Sequence, residues 1–125
     1  MPHFSEQSKK RLSTCHPWLQ DLCNEAIKIY DFTVLCGHRD ELAQMIAFQE
    51  GKSKLDWPKS KHNKTPSLAV DLAPYPIDWN DIDRFYHLAG IMKGLNHKMR
   101  RLRLTWGGDW YSFKDYPHFE IKEKE

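Results

Sequence analysis

A chain of 125 residues with 40% hydrophobic content is the size of one domain able to bury a genuine core. Its formal net charge of +2 is too small to mark a dedicated polyanion-binding protein and gives an anionic surface only a slight pull. No apolar run approaches the ~20 residues that a membrane span requires, and the opening MPHFSEQSKKRL has charge without a following apolar segment, so it does not read as a secretory signal. The expectation is a cytosolic product without membrane insertion.

Ser5 to Leu12 reads as a short polar helix. From Pro17 to Tyr30 a second helix is expected, because Leu19, Leu22, Cys23, Ala26, Ile27 and Tyr30 recur at helical spacing and Pro17 suits a first turn. Phe32 to Cys36 (FTVLC) is a β-branched and aromatic run bounded by Gly37, hence a strand. It delivers His38 and Arg39 to its end, ahead of a helix from Asp40 to Gln49. A guanidinium at such a junction can point into a cleft and hold a carbonyl oxygen or a carboxylate; an ordinary surface arginine is the competing reading. His38 alternates to the opposite face and reads as structural. Gln44, about one turn into the helix, is a candidate for orienting a ligand, with a solvent-facing role as the alternative.

Residues 51–64 carry five lysines with Trp57 and Pro58 and read as a loop. They lack the interleaved aromatics of a base-stacking platform, so a solvated loop is expected. Ser67 to Ala73 is a strand with Leu68, Val70 and Leu72 on one face; Asp71 stands on the other, away from the bulky apolar residues. Asp81 to Met99 is the longest helix, with Asn80 as N-cap and Ile82, Phe85, Tyr86, Ala89 and Met92 as its buried stripe. The basic cluster from Lys98 to Arg103 suits a helix C-terminus for dipole reasons alone. Leu102 to Trp106 follows as a strand, Gly107 and Gly108 make a turn closed by Asp109 and Trp110, and His118 to Lys122 is the last strand, its approach stiffened by Pro117. Cys15, Cys23 and Cys36 are too few and too scattered for a metal knuckle and read as reduced, buried thiols.

Two stretches carry the chemistry. SKHNKTPSLAVD offers His62 and Asp71, and DYPH offers His118 with Asp115 three residues before it. Two imidazoles and one carboxylate suit zinc better than a thiolate or an oxygen-only site, and three protein ligands leave a position for water with an acid nearby to handle its proton. The competing reading is ordinary surface and core histidines, since seven occur in the chain and the spacing matches no short metal signature.

GHRDELAQ, SKHNKTPSLAVDL, LTWGGDW and DYPHFEI occur in that order between about Asp31 and Lys122. Together they resemble the zinc peptidase family of D-alanyl-D-alanine carboxypeptidases and phage L-alanyl-D-glutamate endopeptidases, and within it the single-domain phage lysis enzymes. The resemblance implies one zinc ion held by His62, Asp71 and His118, with Asp115 as general base and Arg39 stabilising the oxyanion. It also implies that Ser60 touches the substrate's carboxylate and that Trp110 walls the cleft, although plain core is an equal reading for both tryptophans of LTWGGDW. Eight residues separate His62 from Asp71, longer by two than the family's usual interval, so the loop should bulge around Thr65 and Pro66.

The expected fold is α+β: a small antiparallel sheet with helices packed on one side and the zinc site at the sheet edge, as in D,D-peptidases and Hedgehog-like folds. The expected function is that of a phage endolysin, a zinc metallopeptidase cutting the L-alanyl-D-glutamate bond of peptidoglycan stem peptides for host lysis. It would act as a monomer, with no nucleic-acid partner, released to the wall when a holin opens the membrane. A D-alanyl-D-alanine carboxypeptidase is the alternative within the family. A non-catalytic, zinc-stabilised wall-binding module and a nucleic-acid-binding protein are the alternatives outside it.

Overall fold

The computed structural model describes residues 2–99 and 103–122. Four helices, α1 (Glu6–Leu12), α2 (Pro17–Ala26), α3 (Glu41–Gln49) and α4 (Ile82–Met99), accompany four strands, β1 (Phe32–Cys36), β2 (Ala69–Pro74), β3 (Arg103–Trp106) and β4 (His118–Lys122). Single 3-10 turns form at Lys61–Asn63 and Gly107–Asp109. The sheet is antiparallel throughout, in the order β1-β2-β4-β3. Leu102 and the middle of the basic cluster, Arg100 and Arg101, lie outside the described residues.

The strand period sorts the side chains into two faces. Val34 pairs with Leu72, Val70 with Phe119, and Trp106 with Phe119 on its other side. All of them are buried, together with Leu19, Leu22 and Cys23 of α2 and Phe85, Leu88, Ala89 and Met92 of α4. Each large apolar side chain so buried contributes about 1.5–3 kcal/mol, and this layer is the core. Asp71 pairs with His118 on the opposite face, where the sheet stays open to a cleft. α3 does not join the helical layer; Ala43, Ile46 and Ala47 flank that cleft. The two facing residues stand on the inner strands β2 and β4 rather than on an outer one.

Helix ends follow local chemistry. Ser5 and Asp40 cap α1 and α3 by accepting the N–H groups of Ser8 and Ala43. α2 stops at Ala26, short of Tyr30, because the amides of Ile29 and Tyr30 both fold back on the Ala26 carbonyl and tighten the last turn. Ile27 is nonetheless buried. On α4 the buried stripe includes Leu88, whereas Ile82 and Tyr86 are exposed; the helix starts at Ile82, which puts Asp81 rather than Asn80 at the cap position.

The outer edge of β1 would be a row of unpaired backbone groups, an aggregation hazard. α1 covers it: the Val34 amide donates to Ser8 Oγ at 3.1 Å and the Arg11 guanidinium donates to the Val34 carbonyl at 3.1 Å. Ser8 is itself buried. Ser8→Ala leaves a buried amide without an acceptor, and chemical denaturation of this variant should show a loss of about 1–3 kcal/mol.

Candidate metal and active site

Three segments converge on Asp71. β1 is interrupted by a register shift between Val34 and Cys36, so that Cys36 faces Asp71 across the strand pair. A bulge of this kind re-aims the following side chains, and it turns the chain at Gly37 toward the site. Gly37 packs so tightly on Thr14 and the Arg11 carbonyl that a Cβ would collide with both, which only glycine avoids. Its carbonyl meets His62 Nδ1 at 2.7 Å.

His62 sits in the Lys61–Asn63 turn, which Ser60 caps by accepting the His62 amide at 3.2 Å while Asn63 Oδ1 accepts the Ser60 amide at 3.0 Å. His118 is brought in by strand register alone. The outcome is a shared acceptor: His62 Nε2 and His118 Nδ1 each lie 3.2 Å from Asp71 Oδ1, with the two rings 5.1 Å apart.

The far nitrogen of each ring is engaged as well. His62 Nδ1 faces the Gly37 carbonyl, and His118 Nε2 faces Glu120 Oε1 at 2.8 Å. Acceptors behind both rings fix their orientation and leave His62 Nε2 and His118 Nδ1 on the Asp71 side, where each donates to the carboxylate when its ring is protonated and would offer a lone pair to a metal when neutral, the arrangement found behind metal-bound histidines. Asp71 belongs to two sets of groups able to hold a metal ion, Cys36–His62–Asp71 and Asp71–Asp115–His118, each with its ligand atoms within 4.8 Å of one another. Cys36 was expected to be an inert buried thiol; it borders the cleft instead. Its Sγ lies 4.0 Å from His62 Nδ1, the nitrogen that meets the Gly37 carbonyl.

The electrostatics describe a site waiting for positive charge. Burial lowers the pKa of His62, but the charge of Asp71 and its hydrogen bond overcome this and push it up to about 10. Burial works against ionised Asp71 too, yet the two imidazoles hold its carboxyl far below the usual carboxylate range. His118 is raised by its hydrogen bonds to Asp71 and Glu120 against its own burial. In the metal-free chain, protons on the imidazoles supply the charge that a dication would bring.

Asp115 stands beside this cluster, Oδ2 4.0 Å from His118 Nδ1. Burial, then the negative charge of Asp71, raises its pKa, a direction that would suit a proton acceptor. Its position depends on Gly107, whose carbonyl accepts the Asp115 amide at 3.0 Å. A Cβ on Gly107 would strike the Asp115 backbone.

Arg39 lies across the cluster, Nη2 3.5 Å from Asp71 Oδ2. Gln44, read from the sequence as a residue for orienting a ligand, is fully buried and braces Arg39: Oε1 accepts from Arg39 Nη1 at 2.9 Å and from Asn63 at 3.1 Å, while Nε2 donates to the Leu55 carbonyl and Ser53. Its polar atoms are consumed, so it acts through Arg39 and not on a ligand. Ser60 and Trp110 do border the cleft, a cavity of about 670 Å³. The Trp110 ring lies 5.1 Å from that of His118, whereas Trp106 is core and donates its indole N–H to the Tyr116 carbonyl at 2.7 Å.

His38 is structural as expected, with Nδ1 2.9 Å from the Lys64 carbonyl. Residues 64–66, where the long His62–Asp71 interval was expected to bulge, are exposed. Sequence reasoning passed over Glu120, Asn63 and Trp79, and read Cys36 only as a reduced, buried thiol. Period-two alternation from His118 was signal enough for Glu120. None existed for Cys36, which the bulge moves off the face that regular alternation assigns it.

The chain matches the family model of phage L-alanyl-D-glutamate peptidases over residues 1–124. It is 38% identical over 127 aligned positions to the L-alanyl-D-glutamate peptidase of Escherichia phage T5, covering 95% of this chain and 88% of that protein. Its structure superimposes on the crystal structure of the Serratia marcescens L-Ala D-Glu endopeptidase ChiX with a TM-score of 0.81 at 26% identity, covering 95% of this chain and 89% of the other. A chain with this fold, with two imidazoles and a free acid gathered around one carboxylate, belongs to the phage L-alanyl-D-glutamate peptidase family.

Proposed function

We propose that the protein is a zinc-dependent endolysin that hydrolyses the L-alanyl-D-glutamate bond of peptidoglycan stem peptides. The observation that carries this reading is the equal 3.2 Å approach of two differently sourced imidazole nitrogens to one Asp71 oxygen, with Asp115 beside them at the longer distance of 4.0 Å from His118 Nδ1. His62, Asp71 and His118 would hold the ion, because nitrogen and carboxylate donors at a partly open site suit zinc. When bound, zinc supplies a Lewis acid that makes a water acidic enough to attack an amide at neutral pH.

The chain's own residues do the rest. Asp115 takes the proton from the attacking water on its carboxylate and passes it to the departing amine nitrogen, a two-way use that its raised pKa favours. Arg39, held by Gln44 and Asp71, faces the cleft with its planar guanidinium and stabilises the oxyanion that develops on the scissile carbonyl. Ser60 sits on the same wall and offers its hydroxyl to the free α-carboxylate of the D-residue after the cut. Trp110 closes the other side against His118.

The relatives' specificity supports the L-alanyl-D-glutamate bond over the D-alanyl-D-alanine bond, although both place a D-residue with a free α-carboxylate after the scissile amide. Asp115 in position beside the cluster favours an enzyme over a binding module. Among the described residues no helix is long and apolar enough to cross a membrane. The proposal also includes passage to the wall through a holin-opened membrane, as a monomer.

Asp115→Asn tests the general base. The variant should keep its fold and one zinc per chain while turnover on purified peptidoglycan falls about 10²–10⁴-fold. Mass spectrometry of the wild-type digest should show new N-terminal D-Glu and no released D-Ala.

The charges around Asp71 set a second expectation, for the chelated chain. Raised to about 10 from an ordinary 6.5, His62 contributes stability that is complete below pH 6.5 and lost as pH climbs toward 10. Asp71, depressed from an ordinary 3.8, contributes stability that is complete above that value and lost as pH falls below it. In thermal melts with chelator, the deficit of Asp71→Asn relative to wild type should thus be greatest between those two ordinary values and shrink on alkalinisation. Zinc competes with the same protons, so its affinity should rise from pH 6 to pH 8.

A further inference from the structure

One wall of the cleft has no part in the chemistry above. Trp79, in the connection between β2 and α4, borders the cleft yet is 57% exposed. One face of its ring stacks on Phe85, centroids 5.7 Å apart and planes within 20°, and Phe85 is buried in the core. The loop beneath is braced: Arg84 donates to the Pro76 carbonyl at 2.6 Å, the Asp81 amide to the Asp78 carbonyl at 3.1 Å, and the Asn80 amide to Asp78 Oδ1 at 3.0 Å. Trp79 is thus a flat apolar surface fixed from behind, flanked by the exposed polar side chains of Asp78 and Asn80. Leaving a large indole half in water gains nothing for folding, whereas a rigid aromatic with polar neighbours is how a ligand site pairs apolar contact with hydrogen bonding.

Its place along the substrate follows from where it is anchored. Phe85 neighbours Tyr116, ring centroids 6.4 Å apart, and Tyr116 lies between Asp115 and His118. Ser60 and Arg39 border the same cleft, tied together through Asn63. With its D-Glu carboxylate at Ser60, a stem peptide can run its acyl half, the L-alanine, toward Asp115 and Trp79, which line the same cleft. In peptidoglycan that L-alanine is amide-linked to the lactyl group of N-acetylmuramic acid, so a sugar begins one residue before the cut. An extended residue spans only about 3.3–3.6 Å, so this sugar stays close to the cut bond.

We propose that Trp79 is the platform for that sugar, its free face stacking on the apolar face of the pyranose while Asp78 and Asn80 meet the ring's polar substituents. The inference rests on the proposed peptidase activity and adds that the enzyme recognises the glycan-attached stem rather than a free peptide.

Two substrates separate the possibilities: N-acetylmuramyl-L-Ala-γ-D-Glu-diaminopimelate and the same tripeptide without the sugar, each at matched zinc. Wild type should cleave the sugar-bearing substrate with the higher kcat/KM. In Trp79→Ala the ratio between the two should fall about tenfold, equivalent to about 1.4 kcal/mol, and Trp79→Tyr should keep most of it. Equal cleavage of both substrates by wild type, or an unaltered ratio in Trp79→Ala, overturns the sugar platform alone; a merely structural role for Trp79 lowers both rates together and gives that unaltered ratio. If wild type cleaves neither substrate, the peptidase reading itself fails and the platform with it.

Discussion

One carboxylate organises the functional half of this molecule. Asp71 lies on an inner strand, largely shielded from water, and a buried anion is costly unless it is paired and hydrogen-bonded. His62, His118 and Arg39 all turn toward it. Each arrives by a different backbone device: a capped 3-10 turn, a strand register, and a bulged strand end. Removing any one would leave the remaining charges unbalanced in a poorly solvated place, which ties the geometry of the site to the folding of the sheet.

That dependence runs through two close contacts that tolerate no side chain. Gly37 lets β1 pass against α1 so that its carbonyl can meet His62, and Gly107 lets the β3–β4 connection fold back so that Asp115 reaches the cluster. Behind them, buried Gln44 joins Arg39, Asn63 and the 53–55 segment into one network. The charged wall is therefore held from the core outward. The opposing wall, Trp110 with Trp79 on Phe85, is held by aromatic packing. The two walls differ in kind: one fixes charge, the other offers apolar surface.

Much of this was legible in the sequence because it depends on local rules. Strand alternation put Asp71 opposite Val70 and Leu72, β1 and β4 ended where composition said they should, and Pro17 marked the start of α2. The ligand candidates were recognisable from motif order more than from spacing, since His62 and His118 come from segments joined only by the tertiary fold. Tertiary contacts also explain what was not legible. A register shift in β1 reversed the face of Cys36, and burial turned Gln44 from a ligand contact into a brace. The α4 stripe rotated toward Leu88 because Tyr86 leans its ring edge on Trp106 instead of entering the core. No pattern in a single chain encodes such cross-element packing.

The central claim is that two imidazoles and Asp71, with no thiolate, hold one zinc ion. X-ray absorption at the zinc edge of the loaded protein measures this directly. The account predicts one zinc per chain with a nitrogen and oxygen shell at about 2.0–2.1 Å and the outer-shell signature of two imidazoles. A sulfur shell at about 2.3 Å, which would bring Cys36 into the ligand set, or a chain that takes up no zinc at neutral pH, would contradict it.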